Sequence, residues 1–284
     1  MKRKLWTLLL ALGAALALCV GASATEQDDF SEAFNISGSI TLDSNVTYSG
    51  LLKVYKDFTI DLNGYVLDIP DGIYAAQGAR LTIRDSSTEL SEESRPTHKF
   101  STPNANGRWV LDESASGTEG EDYQTVPGGV ITGGTGIKDS QYPTPGGGGV
   151  YVASGGTLTM DGGSIVGCSA GTGGGVYVEG TFTMSGSSTI IGCAAGTDGG
   201  GVYVKGTFTM NGSAAITNCT TDTGITGGTS GVWVEDTGKF TMEGNSAISK
   251  CTARTGGGVT VNSGSSRGRF IMHDGQITGC KATK

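Results

Sequence analysis

The sequence predicts an all-β fold, a right-handed parallel β-helix (solenoid) with about 26 residues per coil in its C-terminal half. Three observations lead there. Glycine fills fifty of 284 positions, far above the usual ~7%. It returns at a fixed step, which marks the corners of a repeat and not disorder. Between the glycines lie short runs with period-two alternation of apolar and polar residues, the signature of strands.

The repeat is explicit. GGGVYVASGGTLTM, GGGVYVEGTFTM and GGGVYVKGTFTM begin at Gly147, Gly173 and Gly199, twenty-six residues apart, and looser copies begin at Gly231 and Gly256. Each copy closes with an isoleucine three residues before a cysteine: Ile165/Cys168, Ile190/Cys193, Ile216/Cys219, Ile248/Cys251 and Ile277/Cys280. One copy contains three strands, for example Val176-Tyr177-Val178, Thr181-Phe182-Thr183-Met184 and Ser188-Thr189-Ile190-Ile191. Strands this short are not stable alone or as hairpins. Each finds its best match one whole repeat away, so the pairing must be parallel and in register.

Stacking of like on like at ~4.8 Å turns the interior into ladders. Leu158, Phe182, Phe208, Phe240 and Phe270 form one; Met160, Met184, Met210, Met242 and Met272 a second; the five isoleucines a third. Stacked aromatic pairs add ~0.5–1.5 kcal/mol each beyond area burial. Dipeptides such as Asp161-Gly162 and Asn211-Gly212 supply the turn after the phenylalanine strand.

Four segments follow. Residues 1–24 read as a signal peptide: Lys2, Arg3 and Lys4 precede an apolar run from Leu5 to Val20, and Ala22-Ser23-Ala24 supplies the small residues of a cleavage site before Thr25. Residues 25–85 are the N-terminal cap and degenerate coils, carried by Phe58-Thr59-Ile60-Asp61-Leu62 and Leu81-Thr82-Ile83. The pattern stops over residues 86–127, an irregular excursion rich in Ser, Thr, Glu and Pro. Regular repeats fill 128–284.

Charge narrows the partners. Without Lys2, Arg3 and Lys4 the chain keeps sixteen basic residues against twenty-seven acidic, a net of −11, with no basic cluster. That argues against nucleic acid. No segment after the leader is long and apolar enough to span a bilayer, so the mature chain is expected to be secreted or held at a cell surface.

The combination FTIDLNGY, LTIRDSS, GGVITGGTG and repeated GGGVYV, FTM and Ile-x-x-Cys resembles bacterial surface proteins with pectin-lyase-like β-helix domains, with repeats similar to the chlamydial polymorphic membrane protein repeat. The resemblance covers most of residues 37–284. It implies a right-handed β-helix on an exported protein, often an adhesin, whose partner would be a host or matrix glycan or a surface protein. This chain departs from it by carrying cysteine where many relatives have asparagine.

Candidate chemistry is sparse. The same fold hosts lyases and glycoside hydrolases, so a polysaccharide-active enzyme is the alternative. Such an enzyme needs carboxylates converging across a sugar. The sequence shows no such set, His98 falls in the excursion and His273 at a turn, and no catalytic residue, metal ligand set or cofactor is assigned. Tyr151, Tyr177, Tyr203 and Trp233 project opposite the buried valines as an aromatic stripe. It is either a platform for sugar rings or a partner protein, or a self-stacked ladder that reinforces its sheet.

Cys168, Cys193, Cys219, Cys251 and Cys280 fall on one ladder position. Adjacent Cα atoms about 4.8 Å apart lie inside the disulfide range of ~4.4–6.8 Å, yet five cannot all pair. Thiols acting as small buried apolar groups would stay reduced, the state expected here. A straight ladder does not offer zinc a tetrahedral set. The last coil ends without a visible cap, so the expectation is a longer parent protein or end-to-end self-association through that coil.

Overall fold

The computed structural model describes residues 22–24, 34, 37–101, 107–137, 146–222, 228–229, 231–262, 264 and 268–284. The expected leader lies outside them, apart from Ala22–Ala24, which runs parallel to Ile40–Leu42.

Among the described residues, stacked coils form a parallel β-helix with four sheets. The first has nine strands, from Ala22–Ala24 and Ser39–Leu42 to Arg269–Met272; the second has eight, from Val46–Thr47 to Gln276–Thr278; the third has seven, from Leu52–Val54 to Val259–Val261. A fourth sheet of two-residue strands, Ser169–Ala170 to Lys281–Ala282, follows the cysteines. It adds a fourth strand beyond the three per repeat that the sequence predicts; two residues are too few for alternation to show.

Every pairing between coils is parallel and in register: Phe182 over Phe208, Met184 over Met210, Ile190 over Ile216, Tyr177 over Tyr203. The phenylalanine rings stack at centroid distances of 4.8 Å for Phe182–Phe208, 4.7 Å for Phe208–Phe240 and 4.9 Å for Phe240–Phe270. Phe182, Phe208 and Phe240 are wholly buried, and so are Met184, Met210 and Met242. Upstream the ladders continue through Phe58 and Leu81 and through Ile40, Ile60 and Ile83. There the step shortens to twenty-three residues from Phe58 to Leu81 and twenty-one from Leu52 to Ile73. At the other end Met272 and Ile277 are 43% and 36% exposed, since the described residues place no further coil on them.

The glycine triplet serves close approach. A Cβ on Gly174 would collide with the Gly200 carbonyl oxygen, and one on Gly175 would lie 2.7 Å from the Gly201 oxygen and 2.8 Å from Ile190 Cγ2. The corner between the second and fourth sheets needs one left-handed residue. Gly167, Gly192, Asn218, Lys250 and Gly279 occupy it with φ from +53° to +64°, which explains the Ile-x-x-Cys spacing. Isoleucine points inward, the next side chain outward, the left-handed residue turns the chain, and cysteine points inward again.

The excursion is inserted within one coil, between strand Arg80–Arg84 of the first sheet and Val130–Thr132 of the second, and its described residues form a compact unit. It folds as a three-stranded antiparallel sheet of Thr97–Ser101, Val110–Leu111 and Tyr123–Pro127. Buried Asp85 closes its neck. One carboxylate oxygen accepts from Gly64 N (2.8 Å) and Ser87 N (3.1 Å), the other from Gly129 N (2.7 Å) and Ser87 Oγ (2.9 Å). Phe100, Trp109 and Val126 then pack against Val66, Val130 and Val166, a small apolar core on the outer face of the second sheet. Trp109 N donates to Gly192 O at 2.9 Å, and a Cβ on Gly192 would collide with the Trp109 ring.

Two outcomes are expected. Phe208→Ala should cost ~3–5 kcal/mol in denaturant unfolding, whereas a loss below about 1 kcal/mol would place the ring outside the core. Gly192→Ala should displace Trp109, so that limited proteolysis cuts residues 86–127 faster while the β-sheet circular dichroism is retained.

Candidate functional site

With the second sheet's outer face covered by the excursion at Val66, Val130 and Val166, the first and third sheets offer the longer outward surfaces. On the first, one ladder of threonines runs through Thr59, Thr82, Thr159, Thr183, Thr209 and Thr241. Beside it runs Arg80, Thr157, Thr181, Thr207, Lys239 and Arg269. Threonine suits a pleated, half-buried surface, and five rungs from Thr59 to Thr209 make a hydroxyl and methyl face, the sixth, Thr241, being buried.

The third sheet carries the aromatic stripe. Tyr74, Tyr151, Tyr177, Tyr203 and Trp233 are in register. The tyrosine rings stack at 5.6, 4.9 and 4.8 Å from Tyr74 to Tyr203, with interplanar angles of 25°, 5° and 7°. Stacking occupies their π faces and leaves mainly ring edges and hydroxyls outward. Tyr151, expected on the surface, is only 6% exposed, because Ile137, Leu51 and Ala153 pack around it. Tyr177, Tyr203 and Trp233 are half-buried.

A second ladder borders the stripe. Glu179, Lys205, Glu235 and Asn262 are stacked by hydrogen bonds from each N–H to a valine carbonyl of the preceding coil, at 2.7–2.8 Å. Opposite charges on neighbouring rungs attract: Lys205 Nζ lies 2.9 Å from Glu179 Oε1. Glu235 collects four donors. Tyr203 Oη and Trp233 Nε1 (3.1 Å) donate to Oε2; Asn262 Nδ2 (2.8 Å) and Asp236 N (3.2 Å) donate to Oε1. Burial pushes the Glu235 carboxyl up, but hydrogen bonds from Tyr203, Trp233, Asp236 and Asn262 outweigh it and hold the pKa at about 2. Burial, followed by the charges of Glu179 and Glu235, pushes Tyr177 up to about 12. This ladder is not among the positions expected to be functional, although its signal is visible in the sequence: each residue directly follows the third-sheet strand, in VYVE, VYVK, VWVE and VTVN.

The other expected positions fall elsewhere. Cys168, Cys193, Cys219 and Cys251 are free, wholly buried thiols in the corner, and Cys280 is a half-exposed free thiol. Burial first, then neighbours Cys193 and Cys251, push the Cys219 thiol up. His98 is buried in the excursion, with Nδ1 2.8 Å from Glu113 Oε1 and Nε2 2.9 Å from the Gly64 carbonyl oxygen. Both nitrogens are thus held by structural partners. His273 is exposed at a turn in the last described coil. The nearest gathering of acids is a cleft of about 360 Å³ beside the excursion's neck, lined by Arg84, Asp85, Glu89 and Asp161 among others. Asp85 there is occupied by backbone and Ser87, and nearby Asp61 is paired with Arg84 at 2.8 Å.

Fold and surface together define the class: an all-β parallel β-helix whose outward faces are ladders of a few side-chain types. Compared with family models, curated proteins and solved structures, the chain matches none of them.

The Glu235 carboxylate makes a pH prediction. Its folded pKa is depressed from 4.5 to about 2, so the stability it contributes is present above pH 4.5 and is lost as pH falls toward 2. Glu235→Gln should therefore unfold at lower denaturant concentration than wild type at pH 7, and the gap should close between pH 4.5 and 2. A gap independent of pH would mean that the carboxylate's charge plays no part.

Proposed function

We propose that this chain is a non-enzymatic, exported or cell-surface β-helix that acts in adhesion or surface display, with a host or matrix glycan or a surface protein as its partner. The observation that carries this reading is the pair of outward ladder faces. The accessible threonine ladder repeats the same group over five coils, roughly 19 Å at ~4.8 Å per step, and the aromatic and Glu/Lys ladders repeat beside the third sheet. A surface of this kind meets an extended or repetitive partner at many equivalent points, so weak contacts add by avidity. The resemblance to bacterial surface β-helices supports the same reading.

The polar groups nearest to a catalytic arrangement support it as well. Asp85, Asp61, His98 and Glu235 each hold backbone or neighbouring side chains in place. A general acid or base must instead reach the proton that it moves.

A glycan and extracellular-matrix array probed with the full chain, alongside turnover assays on uronic-acid polysaccharides, tests the reading. Saturable binding to a polymer without turnover is expected, weakened severalfold by Thr183→Glu or by Tyr203→Ala. Turnover abolished by Asp161→Asn in the cleft beside the neck would overturn the proposal in favour of a polysaccharide-active enzyme.

A further inference from the structure

The five cysteines are equivalent in more than sequence position. Ala194 N donates to Cys168 O, Thr220 N to Cys193 O, Thr252 N to Cys219 O and Lys281 N to Cys251 O, all at 2.8–2.9 Å, so the cysteines stand directly over one another. Each side chain also takes the same direction. Sγ lies 3.4–3.7 Å from the carbonyl oxygen two residues before it, at Val166, Ile191, Thr217, Ser249 and Thr278 in turn. The result is a straight row of sulfurs spaced by the coil step, which the phenylalanine ladder sets at 4.7–4.9 Å.

Half of that step is about 2.4 Å, close to a metal–thiolate bond, for which Zn–S at ~2.3 Å is the guide. A tetrahedral ion needs donors around one point, and among the described residues no group of three or more His, Cys, Asp or Glu side chains is arranged to hold a metal. A soft ion that takes two thiolates in line needs only two sulfurs on successive rungs, with room midway between them. Thiolate donors select soft ions. We infer that the cysteine ladder is a binding site for soft, linearly coordinating divalent d10 ions, the class of Hg(II), each held between the sulfurs of two successive coils.

The chemistry balances without a redox step. One Hg(II) and two thiols give one S–Hg–S unit and release two protons to solvent. The product is neutral, which suits an interior where Ile165, Ile190 and Ile216 neighbour the sulfurs and where an unpaired thiolate would be costly. Five thiols make two such pairs and leave one over.

The test keeps thiol number constant and changes only adjacency. In a Cys19→Ala background, Cys193→Ala with Cys251→Ala leaves three thiols and no adjacent pair. Cys168→Ala with Cys280→Ala leaves three contiguous ones. Each full chain is refolded with Hg(II) and excess 2-mercaptoethanol, desalted and assayed for bound mercury. Two ions are expected for the five-thiol chain, one for the contiguous variant, and at least tenfold less for the interrupted one. Mercury-edge X-ray absorption on the five-thiol chain should find two sulfurs in line, a readout that stands even if a variant fails to fold. Equal retention by the two three-thiol variants, three or more sulfurs around the ion, or no retention by the five-thiol chain would overturn the inference.

Discussion

Hydrogen bonding between parallel strands of successive coils is the constraint from which the rest of this structure follows. It places every residue about 4.8 Å from its counterpart one coil away, so each position must tolerate its own copy above and below. Phenylalanine meets that demand by ring stacking, methionine and isoleucine by close apolar contact, and the corner by the third glycine of GGG, whose missing side chain leaves room for Ile190 Cγ2 and Cys193 Sγ. In the row beside the third sheet charges meet it by alternation, as in Glu179, Lys205 and Glu235. On the first sheet the like charges Lys239 and Arg269 stand on neighbouring rungs, where both side chains are exposed to water and salt that screen them.

The same constraint explains why the excursion can be large without breaking the stack. Leaving the first sheet after Arg84 and returning at Val130 preserves both strands' register, so the inserted segment has only to close its own neck. Asp85 does so by binding both ends of the insertion and the preceding coil at Gly64. The insertion then gains stability by docking. Trp109 lies over Gly167 and Gly192, where the left-handed corner residues present no side chain, so one glycine position serves both the turn and the contact.

The outward ladders divide by chemistry. The threonine face is uncharged along its central rungs, whereas the aromatic face is tied to a row of charges and buries Tyr151 against Ile137 and Leu51. A tyrosine whose neighbours stack on both sides, such as Tyr177, keeps its edge and hydroxyl for a partner and gives up its π faces. Recognition there would run through hydroxyls and the Glu/Lys row. Stacking on a sugar would require an open π face, which the middle of the ladder does not offer.

The repeat of 26, the inward ladders Phe182–Phe208–Phe240 and Ile190–Ile216–Ile248, and the alignment of the five cysteines were legible in the sequence, because stacking in register makes spatial neighbours recur at a fixed spacing. Where the step changes, that legibility fails. Phe58 and Leu81 belong to the same ladder, but coils lacking the fourth strand are shorter, so no constant period joins them to Leu158. The two-residue fourth strands carry no alternation and exist only through their hydrogen bonds to neighbours. The burial of Tyr151 and the docking of Trp109 depend on segments distant in sequence crossing a particular coil. The four donors on Glu235 come from two neighbouring coils as well as its own. Periodicity shows which residues share a ladder. The tertiary structure decides what covers the ladder and which side chains from other coils complete its contacts.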